Sequence, residues 1–201
     1  QVGAGAIYET SRILTGFYEQ LASEKDLTFN PGMILGGTDI TRDSILDGGS
    51  AFGKGNIVAK QAVVTGDIRA ISPEQLKKAQ KIMREVVSHH LPQTQATVTF
   101  DEGYPPLAPT DGNFKLLADY AKVSEDLNLG KVTAVNPRDA GAADISFTAG
   151  YVDMAIDGLG LMGGHGHTDK EYAKLNWLPR QTKRVALLMY RLTQNPKNNK
   201  K

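Results

Sequence analysis

With 201 residues, 23 basic and 22 acidic side chains and a net charge of +1, the chain carries no long-range field that argues for nucleic acid or an anionic membrane as partner. Its 40% hydrophobic content suffices for packed cores in one large domain or two small ones. Cysteine is absent, which excludes disulfides and thiolate chemistry, and no apolar run approaches the roughly 20 residues that span a bilayer. The chain opens on Gln1 without a signal-peptide pattern, so an excised or processed piece of a longer protein is expected. The first segment, Gln1 to Ile7, imitates a dinucleotide loop but has no preceding strand and no third glycine in register.

Leu14, Phe17, Tyr18 and Leu21 recur at three- and four-residue spacing, which predicts an amphipathic helix from about Ala6 to Ser23. Asn30-Pro31-Gly32 interrupts the next segment; Met33 to Gly37 reads as a strand, and a Gly- and Asp-rich loop runs on through Gly49. Gly48 to Gly55 has the glycine and lysine spacing of a phosphate loop. Gly55 stands where magnesium needs a hydroxyl, and a strand succeeds it instead of a helix, so it is not a nucleotide site. Asn56 to Ile71 reads as a long strand or bent pair, with Val58, Ala62, Val64, Ile68 and Ala70 on an apolar face and Gln61, Thr65, Asp67 and Arg69 on a polar one. Ser72-Pro73-Glu74-Gln75 is a helix start with a Ser N-cap, Pro at the first turn and Gln75 placed to complete a capping box. Leu76, Ala79, Ile82, Met83 and Val86 form its buried stripe. His89 and His90 end it, and adjacent helical positions point about 100° apart, which disfavours a paired-His metal site. Ala96, Val98 and Phe100 alternate with threonines as one more strand.

The order helix, strand, strand, helix, strand is a ferredoxin-like sandwich that lacks its first strand. Three prolines between Pro105 and Pro109 mark a linker, so residues 1–103 and 104–201 are expected to be separate domains. In the second, a helix from about Gly112 to Asn128, a strand from Val132 to Val135, a short helix ending at Phe147, a strand from Met154 to Asp157 and a final helix from Pro179 are half of an α/β sandwich. That last helix is expected to bury Val185, Leu188, Met189 and Leu192, with Pro196 to Lys201 fraying beyond it.

Asp157 to Glu171 stands apart. Five glycines and the imidazoles of His165 and His167 come after a short apolar run, and imidazole is the commonest metal ligand. The local pattern alone fits a metal-binding loop and a glycine-rich surface turn equally. Ala140 to Asp144, Gly158-Leu159-Gly160 and His167-Thr168-Asp169-Lys170-Glu171 together resemble the closing segment of the co-catalytic zinc exopeptidases, the family of glutamate carboxypeptidase, aminoacylase and succinyl-diaminopimelate desuccinylase. Asn56 and the Asp67-x-Arg69 ending of the strand after it resemble the lid segment of the same family, although Ala59 replaces its usual proline.

The resemblance implies an α/β protein: an α+β lid and dimerisation domain without its first strand, then the C-terminal half of the zinc-peptidase α/β sandwich. It implies that His167 binds one of two zinc ions, that Arg69 and Asn56 contact the substrate from the lid, and that Ala142 occupies a substrate-seating glycine position. A guanidinium suits a terminal carboxylate because its rigid fork gives two parallel charge-assisted bonds. The implied reaction is hydrolysis, by metal-activated water, of an amide bond next to a C-terminal carboxylate in a small peptide or N-acyl amino acid. The general-base Glu and the other ligands belong to a missing N-terminal half, so the fragment alone is expected to be inactive. The implied assembly is a homodimer through the lid. A non-catalytic dimerisation or binding module, or an inactive paralogue, would look the same over this region.

Overall fold

The computed structural model describes residues 3–43, 48–166 and 168–194. It divides into two compact units, Gln1–Ala108 and Pro109–Lys201, with the break inside the proline-rich stretch.

In the first unit, α1 (Ala6–Leu21) is followed by β1 (Thr28–Gly37), β2 (Asp39–Asp43), β3 (Gly48–Phe52), β4 (Gln61–Arg69) and α2 (Pro73–Ser88). β1 and β4 pair antiparallel from Thr28 opposite Arg69 to Gly37 opposite Gln61. The register shifts between Pro31 and Met33, so the Asn30-Pro31-Gly32 segment is a bulge inside a ten-residue strand and not an interruption before it. The glycine-rich stretch expected to be a loop instead forms most of the β2–β3 hairpin, Asp39 opposite Phe52 and Asp43 opposite Gly48. Glycine is required at position 49, where a Cβ would lie 2.8 Å from Leu35 Cδ1.

The two helices pack on this sheet. Leu21, Leu27, Ala79 and Met83 are buried at the centre, and Phe17, Phe29, Ile68, Ile82 and Phe100 close around them. Close approach explains two glycines: a Cβ on Gly16 would lie 2.8 Å from Val86 Cγ1, and one on Gly36 would lie 2.9 Å from Ile7 Cγ1. α2 begins as its sequence requires, Ser72 Oγ accepting from Gln75 N at 3.2 Å. The Gln75 side chain reaches one residue further back than a capping box, Oε1 accepting from Ile71 N at 2.9 Å while Nε2 donates to Lys25 O at 2.8 Å. Residues 95–100 alternate exposed and half-buried as a strand does, yet they form no ladder with any described residue. The expected α+β unit is therefore present with its two helices and its β1–β4 ladder, and residues 95–100 pair with no described residue.

The second unit holds α3 (Asp111–Asp126), α4 (Leu178–Thr193) and a two-residue ladder between β5 (Gly163–Gly164) and β6 (Tyr172–Ala173). Short 3-10 turns cover Pro137–Asp139, Asp144–Thr148 and Leu175–Trp177. Tyr120, Val123 and Leu188 form its core, with Val132 and Ile156 packed against them. The expected strands Val132 to Val135 and Met154 to Asp157 form no ladder with any described residue. Ala155 is anchored instead by its N–H donating to Asn113 Oδ1 at 2.7 Å. α4 is rotated from the expected stripe: Gln181, Arg184 and Leu188 are buried and Met189 is exposed. Arg184 is tolerated inside because its amino groups donate to Gln181 Oε1 and Leu129 O, both at 2.6 Å, just past the carbonyl-rich end of α3. Among the described residues no helix is long and apolar enough to cross a membrane. The tail expected to fray lies outside the described residues.

Candidate functional site

Arg69 closes β4 on its polar face. Its Nε donates to Asp67 Oδ2 at 2.7 Å, and the two side chains are 66% and 61% exposed. Two residues apart on a strand, they share a face, so the acid orients a guanidinium whose side chain stays largely exposed. Asn56 is also exposed, in the turn ahead of β4, where Ile57 N donates to Lys54 O at 3.0 Å. Gln61, five residues after it, sits opposite Gly37, whereas Arg69 sits opposite Thr28 at the far end of the ladder. Eight residues of strand separate those ends, about 26 Å at 3.3 Å per residue. Asn56 thus precedes the Gln61 end of β4, and Arg69 lies at the opposite end of the same strand.

In the second unit, Ala142 is exposed in the loop between two 3-10 turns, two residues before Asp144. His167 lies outside the described residues. His165 comes directly after β5 with φ 56, and its carbonyl accepts from Thr168 N at 3.2 Å and from Thr168 Oγ1 at 2.7 Å. Its ring is tilted 56° against that of Tyr172, centroids 5.9 Å apart. Among the described residues no group of three or more His, Cys, Asp or Glu side chains is placed to hold a metal ion. A catalytic zinc needs about three protein ligands, so these residues do not by themselves form its site.

Sequence reasoning missed a polar cluster on the helical side of the first unit. Glu9, 1% exposed, accepts from Arg12 Nη2 at 2.6 Å and from Leu91 N at 2.9 Å, and His90 Nδ1 lies 3.5 Å away. Arg12 also donates to Val86 O at 3.1 Å and to His89 O, binding the carbonyls at the end of α2. The Arg12 guanidinium, aided by the Leu91 N–H and Thr94 and opposed by burial, lowers the Glu9 pKa to about 2. The available signal was the i, i+3 spacing of Glu9 and Arg12 on a helix.

Residues 1–95 match the family model described as the peptidase dimerisation domain. That part of the chain is a peptidase dimerisation domain. The dimerisation domain accounts for α1 through α2 and leaves the second unit unassigned. A stretch of 136 residues is 30% identical to Carboxypeptidase G2 of Pseudomonas sp. (strain RS-16), covering 67% of this chain but 32% of that protein. The first unit ends at Ala108, so a match of that length extends beyond the dimerisation domain into the second unit.

Proposed function

We propose that this chain is the lid and the closing part of the catalytic domain of a zinc-dependent exopeptidase or amidohydrolase. The reaction is hydrolysis of an amide bond beside a C-terminal carboxylate, in a small peptide or an N-acyl amino acid. The observation that carries this reading is Arg69, exposed on the dimerisation domain with its guanidinium held through Nε by Asp67. A guanidinium so held is pre-organised for a planar carboxylate. Arg69 grips the terminal carboxylate, and Asn56 contacts the substrate from the same lid. Ala142 offers its backbone to the substrate, and His167 is one metal ligand. Residues 1–103 form the lid and 104–201 the catalytic part, while the general base and the remaining ligands come from residues outside this chain. Zinc, when bound, supplies a water deprotonated near neutral pH. The dimerisation domain joins two copies of the protein, and this chain alone does not turn over substrate.

The test uses the complete protein that contains this chain, with N-acyl amino acids and dipeptides as substrates, metal analysis and sedimentation. Arg69→Ala should raise KM at least tenfold with zinc content unchanged, and His167→Ala should lower zinc content. If both variants keep full activity, the site assignment is wrong. If the dimeric complete protein hydrolyses neither substrate, the chain serves a non-catalytic dimerisation module instead.

A further inference from the structure

The β5–β6 hairpin places its glycines unexpectedly. A Cβ on Gly163 would collide with Tyr172 O, and one on Gly164 would lie 2.9 Å from the Tyr172 phenol oxygen, so both are glycine to let that residue approach. Neither they nor Gly166 takes a positive φ. The position that does, at φ 56, holds His165. A side chain there costs on the order of 1 kcal/mol relative to glycine, the residue this loop uses all around it. The cost is borne for an imidazole that is exposed and whose ring nitrogens have no hydrogen-bond partner among the described residues. Tyr172, itself 45% exposed, flanks the ring and limits how it can turn. Strain retained to present an unengaged polar group is a mark of a ligand contact rather than of packing.

We infer that His165 is a specificity-determining residue that hydrogen-bonds the acyl side of the substrate, with Tyr172 positioning its ring. This rests on the function proposed above: with the terminal carboxylate assigned to Arg69, the hydrogen-bonding groups left on a peptide substrate lie across the scissile bond. A dipeptide carries such groups there, whereas an N-acetyl amino acid has none beyond the scissile amide.

The experiment compares the complete protein with its His165→Gly and His165→Asn variants on a dipeptide and on the N-acetyl derivative of the same C-terminal amino acid. Melting temperature and zinc content are measured on each. Glycine accepts the left-handed backbone, and asparagine both accepts it and keeps a donor and an acceptor. The expected result is His165→Gly at least as stable as the unaltered protein, with equal zinc and a preference for the dipeptide reduced about tenfold; His165→Asn recovers part of it. An unchanged preference overturns the inference, as does a loss of zinc or a fall of stability and both rates together. An unaltered protein that hydrolyses neither compound overturns this inference and the proposed function at once. An active protein with an unmoved preference overturns this inference alone.

Discussion

Replacing Glu9 by Gln tests whether the buried cluster holds the helices of the first unit together. The substitution keeps side-chain volume but removes the charge that Arg12 faces, and sets an amide N–H₂ against donors. The Glu9 pKa falls from 4.5 to about 2 in the folded protein. At roughly 1.4 kcal/mol per unit, that difference is about 3 kcal/mol of stability. Because the folded pKa is depressed, this contribution is complete above pH 4.5 and is lost as pH falls from there through 2. The glutamine variant should thus be less stable by about 3 kcal/mol at pH 7, with the gap closing between pH 4.5 and 2. Glu74, whose pKa is also lowered by backbone and Ser72 hydrogen bonds, titrates in both proteins and cancels from the difference. The assay is urea unfolding of the chain followed by amide resonances of α1 and α2. The single tryptophan, Trp177, lies in the second unit, so its fluorescence is an internal control that should not move. A gap below about 0.5 kcal/mol at pH 7, or one of constant size down to about pH 2, would refute the assignment.

Three other outcomes are expected. Gly112→Ala drives a Cβ into the carbonyl oxygen of Asp153 and should destabilise the second unit by about 1–3 kcal/mol, read from Trp177 fluorescence in urea, with α1 and α2 unaffected. Ser72→Ala removes the α2 N-cap and should cost about 1 kcal/mol, seen as a lower urea midpoint in α2 resonances without a change of slope. Arg69→Ala breaks only an exposed ion pair, so the isolated chain should lose less than about 0.5 kcal/mol by the same measurement; a larger loss would make Arg69 a structural residue.

How far a feature can be read from sequence depends on how local its determinants are. α1 and α2 are readable because period and capping residues lie within a few positions of one another, and the exposed face of Arg69 comes from strand alternation alone. The β2–β3 hairpin escapes because Gly48 and Gly49 signal a turn, whereas Gly49 is needed beside Thr41 across the hairpin and Leu35 of β1. Glu9 reads as a solvated charge, and only the arrival of Leu91 and the end of α2 makes it a buried one. The α4 stripe differs from its periodicity for the same reason: Arg184 is buried by carbonyls that the fold brings to it. The strands expected at 132–135 and 154–157 have the right composition, but a ladder is a property of two segments, and no described residue pairs with them. At the candidate site, residue types are readable. The bounds of β4, which put Gln61 and Arg69 at its opposite ends, are not, because they depend on pairing with β1.

The extended segment 95–100 has a practical consequence. Phe100 packs against the core, while the backbone ahead of it has no ladder with any described residue to occupy its amides and carbonyls. Such a stretch is a template for any passing β-strand, and two copies that meet there can zip together irrespective of their biology. Handling of the isolated chain will be governed by this colloidal weakness before any question of fold stability arises. A single lysine at Val98, whose side chain shares the half-buried parity of Ala96 and Phe100, would place a charge facing inward on that edge and keep concentrated samples clear.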